Sequence, residues 1–533
     1  MTKTTSITRR LSPETLRGAK LGLEKEGLRV NREGRISALC HPLELGSALT
    51  HPNITTDFSE ALLELITPPN PSASEALAAL AETESFVHRQ LGSEWIWPAS
   101  MPCRIDSDSE IPIACYGRSD NGMMKHVYRR GLAHRYGRMM QTIAGVHFNF
   151  SFAEELWPNL LEVAGQSGDL ASFTADRYMS TLRNVQRYDW LLLYLFGASP
   201  AVHNGFLDAQ ERLQRFDRET CYAPYATSLR MSDMGYSNRL PAGHSVFIDN
   251  NSLPAYIESL RRLVETPHSP YEAIGIRVDG KHRQLNTHLL QIENEYYTSV
   301  RPKQITHGEE SPLSALHHRG IRYLELRSLD VNPFTPAGVT LEQLHFLELF
   351  LHFCLLKESP GQDAEASRTN QHNLNRTAHE GRRPGLSLIR DGREIGLREW
   401  ALELLDEMLP VAELLDRATR SRDFTIALDA RRASVETPAL TPSARLLTTL
   451  SDKRESFVEF GLRQSSSYHH YYLSRELNNA RQAYFEALGR QSLRQQWQLE
   501  SESPGLFDTE GRSVESRQTC IRSGPQRCAC CHG

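Results

Sequence analysis

The sequence predicts an α+β protein built on a mainly antiparallel sheet with one polar face, and three observations lead there. Short stretches alternate between apolar and charged side chains, the period of a strand. In Gly145 to Phe152, Val146, Phe148, Phe150 and Phe152 fall on one side and His147 and Asn149 on the other. Turn signals follow several of these stretches: Asn31 to Gly34, and Asp279-Gly280, the latter suited to a two-residue hairpin. Beyond about residue 395 the apolar spacing is mostly helical.

In chain order, residues 23–30 read as a first strand, with Glu24, Glu26, Leu28 and Val30 on one face and a hairpin expected after it. Like charges two residues apart on a strand, roughly 6–7 Å, make a poor core pair, so something cationic should sit over Glu24 and Glu26. A helix would put Asp57, Glu60, Ala61 and Glu64 on one face, but the short segment ends in Thr67-Pro68-Pro69, which favours a strand over 61–67 embedding Glu64 among apolar neighbours, with Asp57 in the turn before it. Ser72 with Glu75 is a capping box opening a helix that stops at Gly92. A helix is expected over 123–143 and helices over 170–196. Residues 226–237 read as a polar loop holding Arg230 and Tyr236. After the Asp279-Gly280 turn, a returning strand over 284–297 would align Gln291, Glu293, Glu295 and Tyr297. Residues 321–329 set Leu324 and Leu326 against Tyr323, Glu325 and Arg327. Thr340 with Gln343 caps the next helix, and further helices are expected over 397–417, 441–450 and 474–500. Residues 1–500 are expected to form one catalytic domain, and 501–533 a polar, disordered tail with Cys528, Cys530 and Cys531.

Composition narrows the function. The 533 residues are 39% hydrophobic and 23% charged, with a net charge of −5. That describes an ordinary globular protein and excludes the broad basic surface of a nucleic-acid binder. The first twenty residues lack the apolar stretch of a secretory signal. The most apolar run, 341–356, contains Glu342, Glu348 and two histidines, so no membrane span is expected. Nine cysteines are too few for a disulfide framework, and a cytoplasmic protein with reduced thiols is the expectation.

The polar strand faces carry the chemistry. Glu24, Glu26, Asp57, Glu64, Glu293, Glu295 and Glu325 gather there with His147, and the faces are nearly free of the Lys, Thr and Ser that fill a merely solvated face. An acid-lined sheet is what Mg²⁺ takes, since the ion prefers hard oxygen ligands and bridges carboxylates to phosphates. Glu325 beside Arg327 would set an acid for metal next to a fork for phosphate. No Walker loop or dinucleotide fingerprint is present.

Seven motifs then resemble one family. They are Gly22 to Val30, His51 to Pro68, Trp97 to Pro102, Gly145 to Ser151, Ala226 to Asp233, Gln291 to Glu295 and Glu325 to Asp330. In order and spacing they are similar to the proteobacterial type of glutamate–cysteine ligase. The resemblance implies a glutamine-synthetase-like fold: a curved antiparallel sheet lining a funnel-shaped active site, with helices packed behind. It implies that ATP phosphorylates the γ-carboxylate of L-glutamate and that L-cysteine then attacks, giving γ-glutamylcysteine, ADP and phosphate. It implies more than one Mg²⁺ (Mn²⁺ substituting) on Glu24, Glu26, Asp57, Glu64, His147 and Glu325. Arg327 is expected at the transferred phosphate, Arg129 as a further stabiliser of negative charge, and Arg230 on glutamate. Phe58, Tyr128, Leu132, Gln141, Tyr236 and Tyr297 are expected around cysteine. Glu293 and Glu295 have no clear role in the family motif, and neither has the pair Asn375-Arg376. A monomer is implied, with no nucleic-acid or membrane partner. The rival readings are a ligase of the same superfamily with another amine acceptor, or a non-catalytic nucleotide- or metal-binding regulator. Phosphate release requiring both glutamate and cysteine would separate them.

Overall fold

The computed structural model describes residues 7–207, 209–235, 247–308, 310–503, 505 and 507. Its centre is a seven-stranded antiparallel sheet. In chain order the strands and helices used below are β1 (Lys20–Val30), β2 (Ile54–Thr56), β3 (Leu62–Ile66), α1 (Ala73–Gln90), β4 (Trp95–Ile96), α2 (Asp120–Tyr136), β5 (Gly145–Ser151) and α3 (Leu170–Phe196). They continue with β6 (Ala201–His203), β7 (Gln214–Arg215), β8 (Thr220–Tyr222), β9 (Arg277–Val278), β10 (Lys281–His282), β11 (Val300–Lys303) and β12 (Tyr323–Asp330). The helices α4 (Leu341–Leu356), α5 (Ala364–Glu380), α6 (Leu397–Thr419), α7 (Asp423–Glu436), α8 (Pro442–Lys453), α9 (Phe457–Ser474) and α10 (Asn479–Glu502) complete the chain. The sheet order is β11-β12-β5-β1-β3-β2, with β4 also pairing β1. Pro302 is tolerated in β11 because that strand lies at the edge.

The register aligns the polar residues. Arg301 pairs with Glu325, Glu325 with Asn149, His147 with Glu24, and Glu26 with Glu64. Directly paired residues share a face, so these side chains form one continuous front. The back of the sheet carries Leu23, Phe148, Phe150, Leu324 and Leu326, all buried. It packs on α3 and α4, with the His352 ring of α4 5.4 Å from that of Phe150. Each such fully buried side chain contributes about 1.5–3 kcal/mol.

Several expectations change. The chain does reverse after β1, with Asn31 N–H donating to Arg35 C=O, but only an isolated bridge from Val30 to Ile36 forms rather than a hairpin strand. The helix expected over 123–143 ends at Tyr136, where Gly137 adopts φ +80° and breaks it. Helix α3 is a single helix of 27 residues. The Asp279-Gly280 turn is present, with φ of 50° and 78°, but joins strands of only two residues. Residues 284–297 are not a strand: they form loop and a short 3₁₀ turn at Glu293–Glu295. Helix α10 starts at Asn479 behind an Asn478 cap and runs on to Glu502, past the expected tail boundary. Helices α5, α7 and α9 were not anticipated. Tyr236, Cys528, Cys530 and Cys531 lie outside the described residues. Nor is the whole back of β1 apolar: Lys25 and Arg29 point there and are buried against Glu84 and Glu94.

Candidate active site on the front of the sheet

The front face concentrates acids around one imidazole. His147 Nδ1 lies 3.1 Å from Glu24 Oε2 and 3.6 Å from Glu325 Oε1, and its Nε2 is 3.9 Å from Glu26 Oε1. Asn149 donates to the other oxygen of Glu24 at 2.8 Å. Glu26 accepts the Gly145 N–H at 2.6 Å. One ligand atom each from Glu24, Glu64 and His147 falls within 4.8 Å of the others, a spacing open to a shared ion.

The electrostatics divide these acids. Burial pushes the Glu64 carboxyl well above its ordinary value, and the charges of Glu24, Asp57 and Glu26 push the same way. Burial, reinforced by Asp57, also raises Glu26. For Glu325 burial is outweighed by Lys303, Arg327 and His147, which hold it well below the usual range. Glu24 is lowered too, its hydrogen bond to His147 overcoming burial. Arg327 donates to Glu325 at 2.9 Å, and its neighbouring acids keep it firmly charged despite burial.

A second cluster adjoins the start of β5. Arg230 is buried, donates to the Arg327 C=O at 2.7 Å, and lies 3.9 Å from Asp330. Its guanidinium covers Gly145, where an added Cβ would fall 2.1 Å from Nη2. Asp330 in turn accepts from Ala198 N–H, Ser199 and Ser228. Arg129 Nε donates to the Asp57 C=O at 2.5 Å, with Nη2 3.8 Å from the Asp57 carboxylate.

The expected cysteine-side residues converge in part. Tyr128 and Leu132 are one turn apart on α2, and Gln141 Nε2 donates to the Tyr297 hydroxyl at 3.0 Å. Burial raises both tyrosine phenols, and each is raised further by the charge of Glu295. Phe58 is buried in the loop before β3. Glu293 and Glu295 do not join the front face, because the segment carrying them is not a strand. Glu295 is buried and accepts from Arg135, Tyr136 and the Gln291 N–H, a fastening between the 284–297 segment and α2. Glu293 accepts the Leu313 N–H.

Three cations on or near this face were missed in the sequence. Arg301 and Lys303 reach it from β11, Lys303 Nζ standing 3.6 Å from Glu325. The signal was the alternation of Arg301 and Lys303, obscured by Pro302. Lys125 is brought down to about 8, first by burial and then by Arg129.

Known proteins resemble this chain along most of its length. The sequence model of the family described as glutamate–cysteine ligase matches residues 5–377. A glutamate–cysteine ligase of Pseudomonas fluorescens (strain Pf-5) is 47% identical over 91% of this chain and 91% of its own. One from Pseudomonas putida (strain KT2440) is 48% identical over 91% and 93%. Among solved structures, a glutamate–cysteine ligase from Francisella tularensis in complex with AMP superimposes with a TM-score of 0.86 at 35% identity, covering 94% of this chain and 98% of that one. A bifunctional glutathione synthetase from Pasteurella multocida shares the fold, with a TM-score of 0.71 at 24% identity over 92% of this chain and 57% of that one.

Proposed function

The chain belongs to the glutamate–cysteine ligase family and catalyses the ATP-dependent joining of L-glutamate to L-cysteine, the first step of glutathione biosynthesis; we propose that it does so as one catalytic unit over residues 1–500, in the cytoplasm and as a monomer, with more than one magnesium ion on the front face. The observation that carries the metal reading is the convergence of Glu24, Glu64 and His147 within 4.8 Å. The donors fit a hard cation: they are carboxylates with a single imidazole, and a buried oxygen of Glu325 has no hydrogen-bond partner. Glu24, Glu26, Asp57, Glu64, His147 and Glu325 would hold the ions, and manganese would substitute. Bound there, the metal would supply positive charge to offset that of the ATP phosphates.

The chain's own residues do the rest by positioning and electrostatics. Arg230 holds glutamate, so that a γ-carboxylate oxygen meets the γ-phosphorus of ATP, ADP leaves, and γ-glutamyl phosphate forms. Arg327, locked in its charged form by Glu325, takes the negative charge of the phosphoryl group. Arg129 anchors the Asp57 loop and adds positive charge beside it. Phe58, Tyr128, Leu132, Gln141 and Tyr297 enclose cysteine, whose amine attacks the acyl carbon and expels phosphate. The raised phenols of Tyr128 and Tyr297 stay protonated and able to donate at neutral pH. Titrating the full chain with Mn²⁺ and following free ion by electron paramagnetic resonance tests the metal site. We expect more than one bound ion and at least tenfold weaker binding in Glu64→Gln and His147→Ala; unchanged affinity in both variants would remove the assignment.

A further inference from the structure

A cleft of about 560 Å³ opens away from the acid cluster, between residues 212–214, residues 222–225 and helix α5. Its α5 wall presents His372, Arg376 and His379, spaced i, i+4 and i+7 and so on one face of the helix. Arg212 faces them, and Tyr222 and Tyr225 supply flat walls. The acids nearby are already engaged. Asp233 accepts from Arg212 and from His379, each at 2.6 Å, and Glu380 accepts from Arg383 at 3.1 Å. Arg376 is half-buried, and neither it nor His372 has a hydrogen-bonding or ionic partner among the described residues. A half-buried guanidinium without a partner carries a desolvation cost that an oxyanion would offset.

The cleft is also tied to the loop that bears Arg230. Thr227 and Ser228 donate their N–H groups to the Ala378 C=O of α5, at 2.9 and 3.2 Å. The Asp233 N–H donates to Asn375 at 3.0 Å. We propose that this cleft is an effector site for a phosphate-type oxyanion, free or carried by a nucleotide, and that its occupancy is felt at Arg230. The incoming oxyanion pairs with Arg376 beside His372 and competes with Asp233 for Arg212 and His379. Releasing Asp233 loosens the loop three residues beyond Arg230. The pair Asn375-Arg376, without a role in the family motif, then has one on each side of this coupling.

Calorimetric titration of the full chain without magnesium, with inorganic phosphate and separately with AMP, tests the binding. We expect at least one probe to bind a site whose affinity falls tenfold or more in Arg376→Glu and is kept in Arg327→Ala. Tighter binding of AMP than of phosphate would identify the nucleotide as the source, and equal binding the free ion. No binding of either probe, or equal affinity in Arg376→Glu, overturns the site; should that variant fail to fold, Arg212→Ala and His372→Ala together take its place. The coupling is read from kinetics: the bound probe should change KM for glutamate threefold or more beyond its effect on Arg376→Glu, with KM for cysteine unchanged. Absence of that difference overturns the effector role. This half rests on Arg230 binding glutamate, a reading that fails separately if Arg230→Ala leaves KM for glutamate unaltered.

Discussion

Strand β1 carries charge on both faces and handles it in opposite ways. On the back, Lys25 meets Glu84 and Arg29 meets Glu94 at 2.6 Å, all four side chains nearly inaccessible to solvent. Every charge there has an opposite partner within the chain. On the front, Glu24, Glu26 and Glu64 share one histidine, and Glu64 has no ion-pair partner among the described residues. The same strand therefore uses buried charge once to fasten itself to its surroundings and once to create a demand for something outside the chain. Glu84 and Glu64 make the contrast sharp. Burial raises both, but Lys25 and His88 overcome it for Glu84 and bring that carboxyl below its ordinary value, whereas the neighbours of Glu64 are acids and add to the rise.

The largest effect should come from breaking the back face. Lys25→Met leaves Glu84 in the core with only His88 beside it and should cost about 3–5 kcal/mol of stability, whereas replacing both partners, Lys25→Met with Glu84→Leu, should be close to neutral. Denaturant unfolding of the two variants checks this, and an equal loss in both would mean that the pair is not what matters. Next is the front face. Glu64→Gln should cut turnover at saturating Mg²⁺ by roughly a hundredfold or more, about 2.7 kcal/mol of barrier, while the thermal midpoint measured without metal stays or rises as repulsion is relieved. A drop in both turnover and midpoint would erase the distinction between the faces.

Gly145→Ala should act more mildly. Its Cβ displaces the Arg230 guanidinium, so KM for glutamate should rise about tenfold, or 1.4 kcal/mol, with KM for cysteine unchanged in steady-state assays. The smallest effect concerns pH. The lowered folded value of Glu84 means that its contribution is present above about pH 4.5 and is lost as pH falls through the folded value. The Lys25→Met, Glu84→Leu double variant should therefore lose less stability than the parent between pH 4.5 and pH 2.5, as followed by circular dichroism. Parallel acid limbs would show that the pair carries no such linkage.

Much of this was legible from local pattern. The alternation in β5 and β12 placed His147, Glu325 and Arg327 opposite apolar neighbours, and the Thr67-Pro68-Pro69 stop placed Glu64 on a strand rather than a helix. The misreadings share a cause. Alternation in 284–297 imitates a strand, yet that segment is held as loop by Glu295 reaching Arg135 and Tyr136 on a distant helix. Pro302 hid β11, because whether a proline can sit in a strand depends on the strand being at an edge. Nothing local shows that Lys25 and Arg29 are buried, because their partners Glu84 and Glu94 lie some sixty residues away in the chain.

What the sequence determined by itself was which residues share a face, since strand periodicity is a property of the backbone alone. It also determined the family, since the motifs are long and ordered. The tertiary structure decided the rest: which faces meet, which charges find partners, and so which of two glutamates on the same protein is a fastening and which is a site. Electrostatic roles depend on distances between segments remote in sequence, and only the register of β1 against β3 and β5 set those distances for Glu24, Glu26 and Glu64.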